Sequence, residues 1–144
     1  SGLMAGTYLA FSSFIMRALS SLGDQAAAAA MNAINRVILR SAFMPVFFGS
    51  TLIAVLLMLH GLFNSHAAEA RIGLLAGGVY LLGMFAVTAA ANVPLNNALA
   101  EAADPQPGAG ISWPAYRSRW TRWNTVRSLA SLAALGLSLR ALNL

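Results

Sequence analysis

Met44-Pro-Val-Phe-Phe-Gly-Ser-Thr-Leu-Ile-Ala-Val-Leu-Leu-Met-Leu-His-Gly-Leu-Phe63 contains no Asp, Glu, Lys or Arg. A helix of roughly 20 mainly apolar residues is what the hydrocarbon core of a bilayer requires. Residues 71–91 and 125–143 meet the same condition, and residues 2–21 do so with Arg17 near their end. Composition points the same way. Hydrophobic residues make up 58% of the 144-residue chain and charged residues 9%, against about 25% charged in soluble domains. So few charges cannot cover a water-exposed sphere, and the chain reads as one integral membrane domain spanning 1–144.

Between the first two spans, residues 24–40 read as a short amphipathic helix, with Asp24 as its N-cap after Gly23. At 100° per residue Asn32, Asn35 and Arg36 share one face, and Ala27, Met31, Ile34 and Ile38 the other, so the helix suits the interface or the end of a bundle. After the third span, Pro94 either kinks the helix or opens a new one capped by Asn92. Asp104-Pro-Gln-Pro-Gly-Ala-Gly110 reads as a loop. A final helix starts near Trp113 or Pro114 and is longer than the hydrocarbon core, so its first turns project into the headgroup layer. The expected fold is all-α: a four-helix transmembrane bundle with a short amphipathic helix between spans 1 and 2.

The basic residues are all arginines, and they are unevenly placed. Arg17, Arg36, Arg40, Arg117, Arg119, Arg122 and Arg127 belong to one end, Arg71 and Arg140 to the other. The positive-inside rule places the arginine-rich end in the cytoplasm and both termini outside, as in a bacterial inner membrane. The formal charge of +5 therefore points to headgroups or an anionic ligand rather than to nucleic acid. Gly2, Gly6 and Ala10, and Gly73 and Gly77, recur at four-residue spacing, as surfaces that let helices approach closely. They serve contacts within the bundle, a homo-oligomer seam, or docking into a larger membrane complex.

Functional information concentrates in the last helix. Trp113, Tyr116, Arg117, Trp120, Trp123, Asn124 and Arg127 fall within about 120° on a helical wheel, and Ser131 and Ala134 continue that face into the bundle. Asn and Arg at such depth need partners. Asn92, Asn96 and Asn97, with Asn35 and Arg36, lie at the same end. Two readings stand side by side: a ligand pocket, or a hydrogen-bonded network with Trp, Tyr and Arg as ordinary interfacial anchors. Other chemistries find little support. The absence of cysteine removes thiolate ligands and nucleophiles, His60 and His66 share no helical face and lie across the membrane from the asparagines, no paired carboxylates are available, and the methionines are scattered. No metal site is expected.

Gly2-Leu-Met-Ala-Gly6, Phe11-Ser-Ser-Phe14, Met31-Asn-Ala-Ile-Asn-Arg36, Asn92-Val-Pro-Leu-Asn-Asn97 and Arg119-Trp-Thr-Arg-Trp-Asn-Thr-Val-Arg127 resemble the anthrone-oxygenase-like family over essentially the whole chain. The resemblance implies a four-helix membrane bundle and oxidation of anthrones to anthraquinones by O2, with no established metal or flavin and hence no cofactor. For a small aromatic or lipid-like substrate, Trp120 and Trp123 would supply walls, with Tyr116, Asn35 and Arg36 also binding. Arg127, with Asn92, Asn96 or Asn124, would stabilise a developing oxyanion. The cluster offers no evident general base. A non-catalytic accessory subunit holding a membrane lipid is the competing reading; a small permease suits four spans without an inverted repeat less well.

Overall fold

The computed structural model describes residues 1–103 and 110–144. Of the expected loop, Asp104 to Ala109 thus lie outside the described residues. The described residues are helical, without strands. α1 is Gly2–Ser20, α2 Asp24–Ile38, α3 Phe43–Phe63, α4 Ala68–Glu101 and α5 Trp113–Ala141. α1, α3 and α4 are long and apolar enough to cross a membrane, so this is a membrane protein. α5 carries seven arginines and tryptophans between Trp113 and Arg127, and its apolar stretch is confined to the residues after them.

Local chemistry places the helix ends. Asp24 does not cap α2: Gly23 does, at φ 82°, a left-handed conformation that glycine adopts without a Cβ penalty, and Asp24 becomes the first helical residue. The polar and apolar faces expected of α2 are also redrawn. Asn32 is buried together with Ala27 and Met31, because α2 packs across the end of the bundle against α4 and α5 rather than presenting its amides to water.

α4 runs on to Glu101, and Pro94 sits in the first turn of its last α-helical segment, Val93–Glu101, with Asn92 at the N-cap position but making no side-chain capping bond. A proline lacks an N–H and crowds the carbonyl four residues earlier. Here residues Thr88–Asn92 widen into a π-helical turn, which absorbs both defects. Two further π-helical stretches, Phe11–Ile15 in α1 and Leu81–Ala86 in α4, flank the same level of the bundle.

α5 is the central helix, packed on both α1 and α4, and α3 lies against α4. The α3–α4 contact is concentrated in the first half of α4, Ala68–Tyr80, and thins beyond it. Glycines explain this. A Cβ on Gly61 would strike the Ala70 carbonyl and Leu74, and one on Gly77 would strike the Ala54 carbonyl and Met58. Beyond this seam, large side chains (Phe43, Phe47 and Phe85) hold the two helices apart. The expected small-residue stripe on α1 is different: Gly6 has nothing within 4 Å of an added Cβ.

Two apolar clusters result. Met4, Tyr8, Phe47, Tyr80, Met84 and Ala134 form one; Met16, Met31, Leu95, Leu99, Tyr116 and Trp120 belong to the other. Gly77→Ala should cost about 1–3 kcal/mol through overpacking against backbone that cannot yield, whereas Gly6→Ala should be neutral or stabilising. Thermal unfolding of the two variants in detergent checks this, and equal stabilities would contradict the glycine seam.

Candidate functional site

A polar layer separates the two apolar clusters, in register on three helices: Ser12 on α1, Thr88 and Asn92 on α4, and Asn124 and Arg127 on α5. Its arrangement on α5 follows from helical periodicity. Trp113, Tyr116, Trp120, Asn124, Arg127, Ser131 and Ala134 are all buried, recurring every three or four residues as one face of a helix must.

Asn124 is fully buried and acts as a clamp. Its Nδ2 donates to the Tyr8 carbonyl at 2.6 Å and to Ser12 Oγ at 2.7 Å, while its Oδ1 accepts from Arg127 Nη2 at 2.6 Å. Arg127, 6% exposed, donates through Nη1 to Thr88 Oγ1 at 3.3 Å. Its guanidinium carbon lies 4.3 Å from the Tyr8 ring centre and 5.3 Å from that of Trp120, within the range of cation–π attraction. Asn92 donates to the Trp120 carbonyl at 3.3 Å, and the Tyr116 hydroxyl donates to Asn96 Oδ1 at 2.8 Å. Tyr116 precedes the apolar stretch of α5, and burial raises its phenol above the ordinary value, so it remains a neutral donor.

These residues border a cavity of about 530 Å³, within the roughly 300–1,000 Å³ usual for small-molecule sites. Phe11, Phe43, Phe47, Phe48 and Phe85 contribute to its apolar wall, and Arg127, Arg36, Trp120, Thr88 and a group of asparagines contribute polar side chains. Its lining residues Leu39, Phe48 and Val93 are also exposed on the outer surface, so the cavity reaches the lipid-facing side where α3 and α4 part. Among the described residues, Arg127 Nε and Trp120 Nε1 are buried donors without a hydrogen-bond partner. None of the described residues that line the cavity is a carboxylate or histidine.

The residues expected at the site take different positions. Arg127, Trp120, Asn35, Arg36 and Asn96 line the cavity. Asn92, Asn124 and Tyr116 stand behind it and hold the helices and side chains that do. Trp123 is 41% exposed and does not line it; it sits at the edge of the wheel face, one position before Asn124, and turns outward. Tyr8, Ser12, Thr88, Asn32 and the phenylalanine wall were not expected. Thr88, Asn92 and Asn96 repeat at four-residue spacing, a signal that could have extended the asparagine row by a turn. Tyr8 and Ser12 repeat likewise on α1.

His60 and Glu69 border a separate cavity of about 460 Å³ at the far end of the bundle. Among the described residues no three His, Asp or Glu side chains converge.

The anthrone oxygenase family profile matches residues 36–137, which is well over half of the chain. The protein belongs to the anthrone oxygenase family. No curated protein and no solved structure matches it. The family match covers Thr88, the asparagines of α4, Trp120, Asn124 and Arg127 of this anthrone oxygenase family member. Tyr8, Ser12, Asn32 and Asn35 lie outside the matched residues; they are supplied by α1 and α2, which fold against that region.

Asn124→Ala should cost about 1–3 kcal/mol or more, because it strands a buried charged donor together with a backbone carbonyl. Trp123→Ala should change stability by less than about 0.5 kcal/mol. Denaturant unfolding in matched micelles measures both, and a Trp123 variant as damaged as the Asn124 variant would contradict the clamp.

Proposed function

We propose that the cavity binds a flat phenolic, polyketide-like substrate and supports its oxidation by O2 without a cofactor, through stabilisation of an enolate. One observation carries this reading. Arg127 and Trp120 both line an apolar cavity whose described residues provide no counter-charge, the guanidinium carbon lies 5.3 Å from the indole ring centre, and each side chain keeps a buried donor without a partner. An oxygen atom that becomes negative during reaction is what such a pair would complete. A substrate that is neutral when it binds and anionic when it reacts gains more from it in the second state than in the first.

For an anthrone the steps balance as follows. The ring methylene loses a proton and the opposite carbonyl oxygen becomes an oxyanion, which Arg127 Nε and Trp120 Nε1 receive. The enolate carbon passes an electron to O2 and bonds to it, and the resulting peroxide takes up a proton. The remaining hydrogen on that carbon leaves as the O–O bond breaks, giving a second carbonyl and water. One anthrone and one O2 thus yield one anthraquinone and one water. Water or the substrate's own phenolate carries the protons, since the described residues of the cavity lining include neither carboxylate nor histidine.

The setting supports a membrane-dissolved substrate. The lateral opening beside Leu39, Phe48 and Val93 gives an apolar molecule a path from the bilayer. In this reading the second half of α5 is the fourth crossing of a four-helix bundle. With Arg127 buried, six of the other eight arginines still lie at one end, which favours an inner-membrane orientation with that end cytoplasmic and both termini outside.

Arg127→Gln should lower the rate of anthrone oxidation by about 10²–10³-fold while leaving the helical circular-dichroism spectrum unchanged. Unaltered turnover in the folded variant would overturn the proposal.

A further inference from the structure

α5 has a second polar face, outside the cavity. Arg119 and Arg122 lie on the side of the helix away from Asn124, with Trp123 at its edge, and all three are exposed. Arg122 stands three residues from Arg119 and Trp123 four, spacings that make neighbours on a helix surface. Val126 and Leu129, also exposed, continue this face toward the apolar half of α5. α5 contains no Asp or Glu. Its outer face therefore presents two adjacent guanidiniums and an indole above an apolar strip, and the like charges repel unless an anion lies between them.

α1, which runs antiparallel to α5, fixes the depth of this face. Thr125 Oγ1 lies 3.2 Å from Ser12 Oγ, and Arg117 Nη1 donates to Ser20 Oγ at 3.0 Å. Ser12 to Ser20 is about 12 Å of helix, and Arg119 and Arg122 leave α5 between those two levels. α1 is apolar enough to cross a membrane over Gly2–Ser20. Both arginines thus start beside the outer turns of a membrane-crossing helix, and their long stems carry the guanidiniums to the headgroups.

The chemistry of the face selects the headgroup. A phosphodiester accepts paired N–H bonds from fork-shaped guanidiniums, an interfacial indole adds a further donor, and acyl chains lie along Val126 and Leu129. An ethanolamine headgroup brings its own ammonium beside the phosphate, which two adjacent guanidiniums repel; a glycerol headgroup brings only hydroxyls. We propose that Arg119, Arg122 and Trp123 hold the headgroup of an anionic phospholipid on the outer face of α5. This is independent of the reading of the cavity, which none of the three lines.

Native mass spectrometry of the full chain tests it. The protein in mild detergent is equilibrated with equal amounts of phosphatidylglycerol and phosphatidylethanolamine of matched acyl chains. The wild type should retain one phosphatidylglycerol with about tenfold preference or more. The double variant Arg119→Gln, Arg122→Gln should lose that preference. Arg40→Gln with Arg117→Gln, which removes the same charge from the same end, should keep it. Equal retention of both lipids by the wild type would overturn the site, as would a preference that survives the first double variant or disappears in both. A lipid-free dimer that only the first double variant dissociates would give the face to a second copy of the chain and overturn the lipid site as well.

Discussion

Arg127 places a guanidinium among apolar helices with only neutral partners: a threonine hydroxyl, an asparagine carbonyl and the faces of two aromatic rings. Charge in such a place costs several kcal/mol unless its donors are met, and one of them, Nε, is not. Much of the surrounding structure serves to tolerate this. Asn124 fixes the guanidinium from within its own helix and ties it to α1. The register of Ser12, Thr88, Asn92 and Asn124 then keeps the polar atoms in one layer, with apolar clusters above and below that shield the remaining bonds from exchange with water.

Helix packing supplies the space. α3 and α4 meet closely where Gly61 and Gly77 let backbone approach backbone, and they part where phenylalanines replace glycines. The cavity occupies the parted end, and α2 closes it from the side of the headgroups. π-helical turns in α1 and α4 lie at the level of the polar layer. Each widens its helix by a residue and shifts the facing of the next turn. At Thr88–Asn92 this also lets α4 run through Pro94 to carry Asn96 and Leu99 to the far end of the cavity. Tight packing in one half and an opening in the other are therefore two outcomes of the same helix pair.

Long apolar runs and the three- and four-residue spacing on α5 made the helices and the buried face from Trp113 to Arg127 legible in the sequence. Periodicity tells which residues share a face; it does not tell what that face meets. Asn124 was legible as a buried polar group, but its partners on α1 were not, because a backbone carbonyl such as that of Tyr8 leaves no compositional trace. Asn32 was assigned to a polar face from its angle on the wheel, and tertiary packing against Leu99 overrode that angle. Pro94 marked the first turn of a helical segment, but the π-helical turn before it, through which α4 runs on, has no sequence signature as plain as proline itself. Trp123 lay at the margin of the α5 face, where a few degrees decide between cavity and exterior.

In the proposed reaction, Arg127 makes a bound anthrone more acidic by receiving its oxyanion. Anaerobic titration of bound anthrone measures this directly, because without O2 the enolate accumulates and its long-wavelength absorbance reports ionisation. Anthrone in the wild-type cavity should ionise at least about one pH unit below anthrone in empty nanodiscs, equivalent to about 1.4 kcal/mol of preference for the anion, and Arg127→Gln should remove the shift. Bound anthrone that ionises at the same pH as free anthrone, or at a higher one, would contradict it.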